Sequence, residues 1–224
     1  MLMIPTTKRF MNSKKLKIKI CGIKDVESAR AVEKFDADFL GMIFYPKSHR
    51  YVDLETARQI VNSIDRSHLQ IVGVFVDESI DVVNRISNEL RLDFVQLHGA
   101  EDEDYARQID SKIIKAFRIG DDFEVNRANK FPSEMVLIDT YVRGQVGGTG
   151  QSFDWLHADV ENLQKDFLIA GGISIENFHR AVNIFKSKSE HFAGLDVSGS
   201  LEIDREKSPA LIENFLKAFH KYDA

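Results

Sequence analysis

A chain of 224 residues with 30 Lys and Arg against 35 Asp and Glu has a formal charge of −5. That argues against a general nucleic-acid binder, which is usually basic on one face. The length allows one substantial core or two small ones. No apolar run approaches the roughly 20 residues that span a bilayer, so no membrane partner is expected. The single cysteine, Cys21, rules out an internal disulfide and any multi-cysteine metal site, and suits a cytoplasmic protein.

In chain order, the first 16 residues read as an N-terminal extension, either disordered or mis-assigned by a start placed too early. Met3 and Met11 are alternative starts. The first 24 residues hold Lys8, Arg9, Lys14, Lys15, Lys17, Lys19 and Lys24 and no acid, as a transit peptide would, but Ser and Arg are sparse. From residue 17 to 224 short apolar runs recur: Ile18–Cys21, Phe39–Phe44, Ile71–Val76, Phe94–Leu97, Ile113–Phe117, Val136–Ile138, Phe167–Ala170 and Phe192–Leu195. Each has the length of a buried strand and lacks alternation, as a parallel sheet covered on both faces requires.

Stripes at helical spacing lie between the runs. They are Val26, Ala29, Val32 and Phe35; Ala57, Ile60, Val61 and Ile64; Val82, Val83, Ile86 and Leu90; Phe178, Ala181, Val182 and Phe185; and Leu211, Phe215, Leu216 and Phe219. Strand–helix alternation implies right-handed βαβ units. Eight such strands predict an α/β protein, a single (β/α)8 barrel. An open doubly wound sheet would show a Gly-rich fingerprint after its first strand, and Cys21-Gly22-Ile23 is not one.

Catalytic groups of such a barrel sit at the C-terminal strand ends. Those ends deliver Cys21, Arg50, Asp77, then Gln96 with His98 and Gly99, Arg118, Asp139, Gly171 with Gly172, and Asp196 followed by Ser198 and Gly199. Glycines before a helix let backbone N–H groups approach an anion, and the loops after strands 7 and 8 are the recurrent phosphate grip of this fold. Gly171, Gly172, Ser198 and Gly199 are therefore candidate phosphate ligands, although loop glycines often only make turns. Cys21 is either inert packing or, if its pKa is lowered, a general base. Asp139 is a turn cap or, with burial raising its pKa, a general acid. Arg50 is a surface arginine or a clamp for an anionic group. The histidines show no metal-ligand spacing, so no metal is inferred.

Several of these segments occur together in one known family. Lys19-Ile20-Cys21-Gly22-Ile23, the run Gly41–Val52, Val72-Gly73-Val74-Phe75-Val76, Val95-Gln96-Leu97-His98-Gly99, Leu137-Ile138-Asp139-Thr140, Gly147-Gly148-Thr149-Gly150 with Phe153-Asp154-Trp155, Ala170-Gly171-Gly172-Ile173 and Leu195-Asp196-Val197-Ser198 appear in order. From about Lys17 onward the chain resembles the phosphoribosylanthranilate isomerases of tryptophan biosynthesis. The resemblance implies a cofactor-independent Amadori rearrangement of a phosphorylated aminosugar by a monomer or homodimer. In it Asp139 is the general acid and Cys21 the general base. Arg50 holds the substrate, with His98 and Asp196 in the pocket, and Gly171, Gly172 and Ser198 meet the phosphate.

The family usually reads D-V-S-S-G-V-E after strand 8, where this chain has Asp196-Val197-Ser198-Gly199-Ser200-Leu201-Glu202. The segment 143–146 is expected to form a lid over the aromatic ring. Two other readings stay open: a metal-dependent phosphosugar epimerase, and a catalytically silent barrel that binds a phosphorylated metabolite.

Overall fold

The structure, a computed structural model, describes residues 15–119, 123–140, 155 and 158–223. The expected lid at 143–146, the glycine run at 147–150 and residues 1–14 of the extension lie outside the described residues. Leu16 is packed in the core, and its N–H donates to Asp223 Oδ2 at 2.9 Å.

The predicted barrel is present. Its strands are β1 (Lys17–Cys21), β2 (Phe39–Ile43), β3 (Gln70–Phe75), β4 (Phe94–Leu97), β5 (Ile113–Arg118), β6 (Met135–Asp139), β7 (Phe167–Ala170) and β8 (Phe192–Val197). They pair in parallel in sequence order, and β8 closes on β1. Around them lie α1 (Val26–Lys34), α2 (Leu54–Asn62), α3 (Ile80–Leu90), α4 (Glu103–Ala106), α5 (Val125–Lys130), α6 (Phe178–Lys188) and α7 (Pro209–Asp223). The apolar stripes face the sheet. Asp25 and Asp53 cap α1 and α2 by accepting the N–H groups of Ser28 and Thr56. No described helix is long and apolar enough to cross a membrane.

Two apolar layers follow from the pleat. Ile18, Ile20, Leu40, Met42, Val136 and Ile138 point outward into the helices. Phe39, Val72, Phe94, Ile114, Met135, Leu137 and Leu168 form a separate inner plug, with Phe39 and Phe94 edge to face at 5.9 Å. The plug fills the lower barrel, so the inward residues above it become the floor of the mouth. β1, like β4 with Gln96 and β5 with Lys115, is not apolar throughout. Its outward residues are Ile18 and Ile20, whereas Lys17 and Lys19 face in, and the Lys17 ammonium lies 5.4 Å from the Phe39 ring centre.

A bulge decides what β8 contributes. Phe167 pairs with Phe192, but Leu168 pairs with Gly194, leaving Ala193 as an extra residue. One extra residue reverses which later side chains face in. Leu195 and Val197 consequently pack outward, and Asp196 turns into the barrel beside Lys19, its register partner. Gly194 is needed there: a Cβ would overlap the carbonyl of Lys17.

Candidate active site

Cys21 ends β1 on the inner face, two residues above Lys19. The Lys19 side chain is fully buried, and its ammonium donates to Asp196 Oδ1 at 3.0 Å. The Lys19 charge also acts on the Cys21 thiol, the next inward residue of β1. Room for both comes from β2. Gly41 is the register partner of Cys21, and a Cβ on it would stand 3.0 Å from Sγ and 3.0 Å from the lysine Nζ. Burial pushes the Cys21 thiol above its ordinary value; Lys19 opposes the rise and Asp196 adds to it. The lowered value expected of a base is therefore not what the free protein provides. Burial also disfavours the Lys19 ammonium, but Asp196 and Cys21 together hold it above its usual value.

Arg50 follows β2 and folds back over Gly22. Gly22 has φ +83°, and a Cβ there would come within 2.5 Å of Arg50 Cδ, so glycine is required on both counts. The guanidinium is held by Glu202: Nε donates to Oε1 and Nη2 donates to Oε2 at 3.1 Å. Glu202 begins a small hairpin of β9 (Glu202–Ile203) and β10 (Glu206–Lys207). Lys207 donates to Glu202 Oε1 at 2.9 Å and to the Ser198 carbonyl at 2.8 Å. Ser198 Oγ donates to the Cys21 carbonyl at 2.9 Å and accepts from Lys207 at 3.2 Å, so its proton is already used.

Burial would raise the Glu202 carboxyl, but its bonds to Arg50, Lys207 and His49 outweigh that and hold it at about 2. A carboxyl depressed from 4.5 stabilises the fold above its unfolded value and loses that contribution as pH falls through the folded one. Glu202→Gln is expected to cost ~3 kcal/mol at neutral pH. The gap from wild type should close as pH drops from 4.5 toward about 2. Urea titrations across that range measure it; equal stability at neutral pH would contradict the assignment.

Across the mouth, β4 presents Gln96 and then His98. The Gln96 amide Nε2 lies 2.9 Å from His98 Nδ1, and His98 Nε2 lies 3.5 Å from Asp139 Oδ2. With the amide donating to Nδ1, a neutral imidazole carries its proton on Nε2, facing the carboxylate. Asp139 ends β6 and is 17% exposed, so it is open to the mouth. Going round the barrel through β7 and β8, β6 stands three strands from β1. Thr140 Oγ1 lies 2.8 Å from the Ala170 carbonyl and 3.1 Å from that of Gly171, joining the acid's strand to the next loop.

Gly171 and Gly172 both have positive φ, +91° and +67°. The helix does not follow them directly. A turn at Ser174–Asn177 intervenes, with Asn177 accepting from Ser174 N at 2.9 Å and donating to the Gly172 carbonyl at 2.8 Å, before α6 begins at Phe178. Ser200 Oγ donates to the Ile173 carbonyl at 2.7 Å, tying the loop after β8 to the loop after β7. Ser198 and Gly199 open a single 3-10 turn at Gly199–Leu201.

All nine predicted site residues therefore lie at the C-terminal end of the barrel, in two groups. Cys21, Arg50, Asp196, Ser198 and Gly199 form one with β1, β2 and β8; His98 and Asp139 lie across the mouth, with Gly171 and Gly172 beside them. Lys19, Glu202 and Lys207 were missed. Lys19 left a signal, a lysine two residues before Cys21 and so on the same face of its strand. Lys207 left none, because it reaches the mouth only through the hairpin.

A closed parallel barrel with an inward acid, a thiol and an arginine at its C-terminal mouth, beside two linked glycine-bearing loops, defines an enzyme of the (β/α)8-barrel class, equipped to move protons. The profile of the family described as N-(5'phosphoribosyl)anthranilate (PRA) isomerase matches residues 18–218. An N-(5'-phosphoribosyl)anthranilate isomerase of Geotalea uraniireducens is 35% identical over 202 residues, covering 90% of this chain and 97% of its own. The phosphoribosyl anthranilate isomerase structure from Thermotoga maritima is 30% identical with a TM-score of 0.79, over 92% of this chain and 99% of its own. Another, solved with reduced 1-(o-carboxyphenylamino)-1-deoxyribulose 5-phosphate, is 28% identical with a TM-score of 0.76 over the same shares, 92% and 99%. This chain belongs to the PRA isomerase family.

Proposed function

We propose that the chain converts N-(5'-phosphoribosyl)anthranilate into 1-(2-carboxyphenylamino)-1-deoxyribulose 5-phosphate in tryptophan biosynthesis, with Asp139 as general acid and Cys21 as general base. Asp139 gives its proton to the furanose ring oxygen, the bond from that oxygen to C1 breaks, and the nitrogen lone pair forms the C1=N bond. Cys21 Sγ then takes the proton from C2, and the electrons of that C–H bond return to nitrogen through C1=C2. The resulting enol-amine tautomerises to the ketone. Only protons move, so an acid and a base suffice.

Arg50, held by Glu202, offers its remaining N–H groups to an anionic part of the substrate. The phosphate lies against the backbone of Gly171, Gly172 and the Ser198–Gly199 turn, where N–H groups and open space favour an anion; a Cβ on Gly172 would meet nothing within 4 Å. His98 lines the pocket beside Asp139, and Asp196 acts from the floor. The free cysteine suits a reducing compartment such as the cytoplasm.

The observation that carries this reading is one inward acid on β6 and one inward thiol on β1, over a plugged floor, in a chain matching the family across residues 18–218. Anthranilate fluorescence tests it, followed as purified protein consumes freshly made phosphoribosylanthranilate with EDTA present. Chelator-resistant turnover is expected. Binding of the reduced product analogue without turnover would replace it with a silent phosphate-binding barrel.

A further inference from the structure

The base needs a thiolate, yet the sulfur is buried, and burial favours the thiol. The answer to that conflict lies beneath Cys21. A fully buried ammonium occupies the barrel interior, and its neighbours are a carboxylate and the thiol. An ordinary buried lysine would need only the carboxylate. Here Gly41 leaves a gap that Nζ and Sγ both border, each 3.0 Å from where its Cβ would stand. The bulge in β8 turns Asp196 onto the ammonium from the other side.

We propose that Lys19 is a positioning residue for Cys21: its buried ammonium is the counter-ion of the thiolate, and Asp196 sets how much of that charge the sulfur receives. The inference rests on Cys21 being the base, but its central claim concerns the thiolate alone. In the resting state the ammonium is shared between a carboxylate and a neutral thiol. When Cys21 ionises, the ammonium faces two anions, and its charge offsets part of the cost of a buried sulfur anion. Lys207, on the hairpin above, is a second cation acting on the sulfur. It is already bonded to Glu202 and Ser198, with Arg50 beyond it, so its charge is largely spent on Glu202. β2 adds no charge at this level, because Gly41 is the residue facing Cys21.

The arrangement predicts shifts of opposite sign from two neighbours in one ion pair. Removing the ammonium should make the thiolate harder to form. Removing the carboxylate should make it easier, because the ammonium then serves the sulfur alone. A contact that merely stabilises the barrel floor would give no such reversal.

The chain has one cysteine, so thiolate absorbance in the ultraviolet, with Cys21→Ser as blank, reads this site only. It should be titrated in wild type, Asp196→Asn, Lys19→Met and the double variant Lys19→Met/Asp196→Asn, which removes both charges together. The midpoint is expected to fall by about 1 pH unit or more in Asp196→Asn and to rise by about as much in Lys19→Met, with the double variant above Asp196→Asn. Lys19→Arg should restore most of the wild-type midpoint. If Lys19→Met does not fold, the Asp196→Asn and double-variant arms decide.

An unchanged or raised midpoint in Asp196→Asn, or a double variant matching Asp196→Asn, would overturn the proposal. The rising limb of kcat/KM against pH should follow the same order. If the titration shifts as expected while Cys21→Ala still turns over normally, the base assignment fails and the counter-ion assignment stands.

Discussion

Asp139→Asn is expected to lower kcat by at least ~10²-fold, the usual worth of a positioned acid, with KM little changed. Asparagine keeps the size of the side chain and an oxygen toward His98 Nε2, now 3.5 Å from Asp139 Oδ2. What it lacks is an acidic proton for the furanose ring oxygen. Without that proton, ring opening must expel an alkoxide, so the loss falls on a barrier crossed after binding. A drop shared by kcat and kcat/KM is the signature of an interaction made in the transition state. Steady-state fluorescence assays at several substrate concentrations separate the two constants. Near-wild-type kcat would remove Asp139 from the acid's role and turn attention to His98, an ionisable group beside it.

Cys21→Ala should cost a comparable ~10²-fold or more in kcat, for the complementary reason. Alanine leaves the β1–β2 register intact and the Lys19–Asp196 ion pair in place, so the barrel floor should survive. The group that accepts the C2 proton is gone, and neither neighbour can replace it: Lys19 is protonated, and Asp196 is tied to Lys19 on the floor. Circular dichroism and binding of the reduced product analogue should match wild type. Turnover by Cys21→Ala at the wild-type rate would show that another group takes the C2 proton. The two substitutions act on one reaction sequence, so their effects need not add.

Much of this protein is legible in its sequence because the signals are local. A buried parallel strand is mostly apolar along its length, and five of the eight runs are wholly so, the others admitting Lys19, Gln96 and Lys115; the stripes of α1, α2, α3, α6 and α7 follow the helical period. The short α4 and α5 carry no stripe and show only in the structure. The strand ends were equally readable, since the fold rule places their residues at one mouth. Cys21, His98, Asp139, Gly171 and Gly172 needed nothing more than strand boundaries to be chosen.

By itself the sequence determined the alternation of elements, the closed-barrel architecture and the positions from which the chemistry is delivered, because each depends on spacing within a few residues. Only the tertiary structure decided what those residues touch. It showed that a bulge at Ala193 turns Asp196 inward and that a glycine on β2 leaves the space that the Lys19 ammonium and the Cys21 sulfur share. It also showed that Arg50 is held by Glu202, 152 residues away along the chain, with Lys207 binding the same carboxylate. These contacts set the charge state of the groups at the mouth. They join β1, β2, β8 and the hairpin after β8, which lie far apart in sequence and meet only when the barrel closes. That closure is why the proposed base could be picked out in the sequence and the lysine placed beneath it could not.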